Sequence, residues 1–137
     1  MRKILTFMPV LLLFSAGQVF GQVRREALTI RIKTSAECQI CKKRIEDYLK
    51  REPGLIYVNL DYHNKIATVR YYTDVTNPDN IRTAIANAGY DADTVAAEPD
   101  SYRLLPSCCK KGGMAALKAA QIAARKAADQ AAREKRH

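Results

Sequence analysis

The sequence predicts an α+β fold in which two helices cover one face of a four-stranded antiparallel sheet, in the order βαββαβ. Three observations carry that prediction. Residues 28–32 and 56–60 alternate apolar with polar, the period-two signature of half-buried strands. Between them, apolar side chains recur at helical spacing. After a third strand comes a segment with its own helix start and stop signals.

In the first strand Leu28, Ile30 and Ile32 alternate with Thr29, Arg31 and Lys33. Ser35-Ala36-Glu37 is a loop, and Cys41, Ile45, Tyr48 and Leu49 then line one side of an amphipathic helix that Pro53-Gly54 closes. Ile56, Val58 and Leu60 make the second strand. His63-Asn64 forms a turn, and Ile66, with Thr68 or Val69 and Tyr71, makes the third. Asn77 is placed to cap a second helix with Pro78 at its first position; Ile81, Ile85 and Ala88 supply its apolar face, and Gly89 ends it. Ala92 to Ala97 is the predicted fourth strand. This is the split-βαβ order of a ferredoxin-like domain, assigned to residues 22–98.

The ends of the chain read differently. Arg2 and Lys3 precede an apolar run from Ile4 to Phe14, and Val19-Phe20-Gly21 offers a cleavage site, so residues 1–21 are expected to be a signal peptide. The run is shorter than the roughly 20 residues a membrane span needs. An exported protein, periplasmic or extracellular, is the expectation. Residues 99–113 read as a linker carrying Cys108-Cys109, and 114–137 as a basic, alanine-rich tail, helical or disordered, with almost nothing to bury. The net charge of +9 is concentrated there: residues 22–109 carry thirteen Lys/Arg against twelve Asp/Glu, whereas from Lys110 onward eight basic residues face Asp129 and Glu134. A near-neutral body argues against a nucleic-acid surface, and the weak apolar face of the tail against firm membrane insertion.

Chemistry concentrates at Cys38-Gln39-Ile40-Cys41, where a strand-to-helix loop ends. Residues three apart at a helix start share a face, so two sulfurs can hold one ion, and the positive end of the helix dipole favours thiolate. Two thiolates suit a soft ion of low coordination number, Cu(I) first, with Hg(II) or Zn(II) as alternatives; a structural zinc site takes four ligands. In an oxidising compartment paired thiols also make disulfides, so a thiol–disulfide redox protein using Cys38-Cys41 is the rival reading. No strand carries the proline that thioredoxin-like enzymes set opposite their cysteines.

From Ile30 to Asp93 the chain resembles the heavy-metal-associated domain family of copper chaperones, copper-ATPase modules and periplasmic mercury-binding proteins. The resemblance rests on the C-x-x-C, Ile45 and Leu49, Pro53-Gly54, Val58-x-Leu60, Ile81 and Ile85, and Ala88-Gly89-Tyr90. It implies Cys38 and Cys41 as metal ligands and Tyr90 as an outer-shell residue beside them. It also implies a chaperone or scavenger rather than an enzyme, with a metal-transporting ATPase or another thiol-bearing protein as acceptor. The chain departs from the family at Ser35-Ala36, where Gly-Met is usual.

Other residues have two readings each. Glu37 is either a third, harder ligand or a solvated carboxylate at a helix start. His63, in the turn at the same pole, either approaches the metal or is simply exposed. Cys108 and Cys109 either pair with each other or with another molecule, or they form an auxiliary thiol pair. At roughly 3.3–3.6 Å per extended residue, the ten residues after Glu98 suffice to bring them back to Cys38.

Overall fold

The computed structural model of the protein describes residues 25–136. Its strands are β1 (Ala27–Lys33), β2 (Leu55–Asp61) and β3 (Ile66–Tyr72), and its helices α1 (Gln39–Leu49), α2 (Pro78–Asn87), α3 (Pro99–Arg103) and α4 (Gly113–Glu134). The expected leader lies outside the described residues. β3 is central, antiparallel to β1 on one side and β2 on the other. Register sets Ile32 and Leu60 on either side of Ala67, and Ile30 and Val58 on either side of Val69. The inward set of β3 is therefore Ala67, Val69 and Tyr71, all buried. Burial fades along the sheet: Ile32 and Leu60 are covered, whereas Leu28 and Ile56 at the other end are exposed.

Ile45 and Leu49 of α1 and Ile81, Ala84 and Ile85 of α2 close the core over that face. Each fully buried Ile or Leu stabilises the fold by about 1.5–3 kcal/mol. Polar contacts fix α1 against β2: Glu46 Oε1 accepts from the Leu60 amide at 2.8 Å, and Lys42 Nζ donates to the Leu60 carbonyl at 2.7 Å. Asn77 caps α2 by accepting from the Asn80 amide at 2.9 Å. Gly89 ends it at φ +97°, and a Cβ there would stand 3.0 Å from the Ser101 carbonyl oxygen.

The sheet corrects one expectation: among the described residues it has three strands, not four. Ala92–Ala97 makes only isolated bridges, Ala92 with Thr34 and Ala92 with Val95. The reason is Asp93. Its amide donates to the Lys33 carbonyl at 2.8 Å, but the return bond from the Lys33 amide is taken by its carboxylate, also at 2.8 Å. A side chain thus replaces the next rung of the ladder. Asp93 adopts φ 51°, and Ala92 and Val95 exchange two backbone bonds of 2.9 Å, so the chain turns away from β1.

Residues 99–113 are not a free connection but a strap laid on the domain. Glu98 caps α3 by accepting from the Ser101 amide at 2.6 Å, with Pro99 opening the helix. Leu105 is buried in the same cluster as the sheet and helix residues, and Tyr102 packs against it. The Lys111 amide donates to the Tyr102 hydroxyl at 3.1 Å, and Lys111 Nζ pairs with Asp91 at 2.7 Å. Between these fastenings the 3-10 turn Ser107–Cys109 brings Cys109 into the core. The tail that follows is one helix of 22 residues, α4, buried nowhere and partly covered only at its start, Gly113 and Met114.

Candidate metal centre

The site is built at the start of α1. Cys38, in extended conformation at φ −152°, is the residue that caps this helix, and its sulfur accepts from the Cys41 amide at 3.5 Å. Cysteine thus occupies the position where Ser, Thr, Asp or Asn usually satisfies the first free amides. The two sulfurs of the C-x-x-C lie 3.1 Å apart. The loop before them is held by Thr34, whose amide donates to the Lys65 carbonyl at 2.7 Å, and by Ser35, whose Oγ accepts from the Asp91 amide at 3.0 Å. Ala36 is fully buried in the same core.

The pair is not at the surface. Cys41 is 0% exposed and Cys38 8%, because the strap covers them. Cys109, 1% exposed, comes within 3.7 Å of Cys38, and Cys108, half-buried, lies 3.9 Å from Cys109. Among the described residues, the sulfurs of Cys38, Cys108 and Cys109 all fall within 4.8 Å of one another. All four cysteines are free thiols. The auxiliary pair thus sits at the same pole as the C-x-x-C.

Electrostatics differentiate the four sulfurs. Burial works to raise the Cys38 thiol, but its hydrogen bonds with the Cys41 thiol and amide and with Cys109 outweigh it, and the net shift is downward. Burial raises the Cys41 and Cys109 thiols above the ordinary value. Tyr90, fully buried, points its hydroxyl toward Cys41 and Cys109, and burial first and these thiols second hold the phenol protonated. That hydroxyl has no well-formed hydrogen-bond partner. A buried donor without an acceptor costs about 1–3 kcal/mol. A thiolate beside it, unlike a thiol, supplies a strong acceptor, so the donor set fits an ion held as thiolate salt.

Glu37 and His63 line the cleft in front of Cys38. Glu37 is paired with Lys65 Nζ at 3.1 Å. His63 is exposed in the turn and stacks on Tyr62 with ring centres 4.2 Å apart; it reaches the same pole but lines only the mouth. That mouth is a cleft of about 430 Å³ whose wall includes Cys38, Ile40, Tyr62, His63, Cys108, Met114 and Lys118. Sequence reasoning missed Met114, Lys118 and the anchoring Leu105. The Glu98-Pro99 start signal and the apolar Tyr102 and Leu104-Leu105 were the available hint that the linker is ordered.

Residues 33–91 match the family model of the heavy-metal-associated domain. Over this stretch the chain is similar to that domain. A copper-exporting P-type ATPase of Staphylococcus haemolyticus is 34% identical over 67 residues, covering 49% of this chain and 8% of the ATPase. The chain therefore spans under a tenth of that curated relative. The N-terminal soluble domains of Bacillus subtilis CopA are similar at 31% identity and a TM-score of 0.47, over 49% of this chain and 46% of that one. Oxidized MerP from Ralstonia metallidurans CH34 is similar at 19% identity and a TM-score of 0.47, over 50% and 96%. The match to the heavy-metal-associated domain ends before the strap, so Cys108 and Cys109 lie outside the domain whose C-x-x-C they approach.

Proposed function

We propose that the protein binds Cu(I) through the thiolates of Cys38 and Cys41 and serves, after export, as a copper chaperone or scavenger rather than an enzyme. The observation that carries this reading is the donor set: the sulfurs of Cys38, Cys108 and Cys109 lie within 4.8 Å of one another with Cys41 3.1 Å from Cys38, while Glu37 is engaged by Lys65. Soft thiolates select Cu(I) over ions that want oxygen or four-fold coordination. Each thiol loses its proton to solvent as its sulfur bonds the ion. Handover then follows by ligand exchange with a thiol-bearing acceptor such as a metal-transporting ATPase.

The test is anaerobic mass spectrometry of the reduced chain with Cu(I), Zn(II) and Hg(II) in competition, repeated on Cys38→Ser and Cys41→Ser. One Cu(I) per chain is expected, with binding lost at least 100-fold in either variant. Equal retention by a folded variant would sink the reading. One observation favours a second reading: the Cys38 thiol is lowered beside a raised Cys41, the asymmetry of an attacking and a resolving cysteine in a redox protein. Turnover of a disulfide substrate without metal uptake would decide for it.

A further inference from the structure

Resting on that reading, we infer that the strap completes the site from within the same chain: Cys109 is a third thiolate to the copper, and Cys108 is the surface thiol through which the ion passes in and out.

Two triangles of sulfur share the edge between Cys38 and Cys109. The outer one adds Cys108, every pair within 4.8 Å; the inner one adds Cys41, 3.1 Å from Cys38 and, like Cys109, faced by the Tyr90 hydroxyl. Metal–sulfur bonds of about 2.3 Å, as in thiolate sites, put sulfurs about 4.6 Å apart across a linear ion and about 4.0 Å apart in a planar trigonal one. The shared edge measures 3.7 Å, close to the trigonal separation. Cys38 and Cys41, at 3.1 Å, must part by about an ångström for a trigonal site and by about half as much again for a linear one. Geometry therefore favours three sulfurs.

A second, independent observation points the same way. The Tyr90 hydroxyl is buried, lacks a well-formed partner and faces Cys109 as well as Cys41. A thiolate at Cys109 gives it one.

Cys108 has a different place. It is half-buried, lines the cleft with Met114 and Lys118, and is the strap thiol that solvent reaches. An ion arriving there bonds first to Cys108, Cys38 and Cys109. Moving inward, it forms a bond to Cys41 and breaks the bond to Cys108. The proton leaves the Cys41 thiol and the Cys108 thiolate takes one up, so charge and electron count do not change. Release reverses the exchange.

The experiment uses the full reduced chain loaded with Cu(I) alone, read by X-ray absorption at the copper edge and by transfer to a chromogenic Cu(I) chelator. Expected are three sulfurs per copper in the unaltered chain, and two in Cys109→Ala with affinity down at least tenfold. Cys108→Ala should keep three sulfurs and the same affinity but transfer copper at least tenfold more slowly. Two sulfurs in the unaltered chain overturn the third thiolate, whether or not Cys109→Ala folds. An unchanged transfer rate in Cys108→Ala overturns the exchange role. Cys38→Ala separates the two levels: if it alone abolishes binding while Cys109→Ala does nothing, the pairwise site stands and this inference falls. If Cys38→Ala binds as before, the underlying reading fails.

Discussion

The sulfur of Cys109 lies 3.7 Å from that of Cys38, although 71 residues separate them in the chain. Everything between contributes to that approach: the domain supplies Cys38 at the start of α1, and the strap is nailed down by Leu105, Tyr102 and Lys111 so that its turn can enter the core. The C-x-x-C pair is thereby covered.

Tyr90→Phe separates the cost of the hydroxyl from its use. Without metal the variant should be as stable as the parent or more so by about 1 kcal/mol, because an unsatisfied buried donor is removed. With Cu(I) it should bind several-fold more weakly, since a thiolate has lost its donor. Chelator competition and thermal melts of both forms check this. A loss of metal-free stability would show that the hydroxyl already has a partner.

Glu37→Gln should leave Cu(I) and Zn(II) affinities within about twofold of the parent. The carboxylate is held by Lys65 at 3.1 Å and is not among the ligand atoms that cluster within 4.8 Å. Lost stability should stay under about 1 kcal/mol, as for a partly exposed ion pair. A selective fall in Zn(II) affinity would restore Glu37 as a ligand.

Gly113→Ala should loosen the strap. A Cβ there would stand 1.8 Å from the Ser107 carbonyl oxygen, so the turn carrying Cys108 must shift or α4 must start elsewhere. Forced close contacts of this kind cost about 1–3 kcal/mol. Alkylation of Cys109 should become several-fold faster while amide exchange in α1 and β3 is unchanged. Equal alkylation rates would mean that the turn absorbs the methyl.

Acid should release the same strap through Asp91. Its carboxylate accepts from the Ala97 amide at 3.0 Å and from Lys111 at 2.7 Å, while its backbone amide holds Ser35. Burial pushes the Asp91 carboxyl up, but these donors outweigh it, and the net shift is downward. A carboxyl depressed in the folded state stabilises it fully above the unfolded value, about 3.9, and loses that contribution as pH falls through the folded value. Amide exchange at Cys109, corrected for its intrinsic pH dependence, should therefore be protected at neutral pH and accelerate below about pH 4. Asp91→Asn should exchange faster at neutral pH and show a flatter profile. Coincident profiles would remove Asp91 from the fastening.

The sequence by itself determined the parts whose signals are local. Alternation wrote β1 and β2, helical spacing wrote α1, and Asn77-Pro78 with Gly89 bounded α2, because each depends only on residues a turn or a strand apart. The C-x-x-C at the start of α1 was legible for the same reason. Tertiary structure alone decided three things. Asp93 spent a side-chain carboxylate where a fourth strand needed a backbone rung, a choice fixed by Lys33, 60 residues away. Ala67 and Val69 became the inward set of β3 through register with two other strands. Cys109 reached the core because Leu105 and Tyr102 found buried places on a domain already folded, and no pattern inside residues 99–113 encodes the surface that receives them.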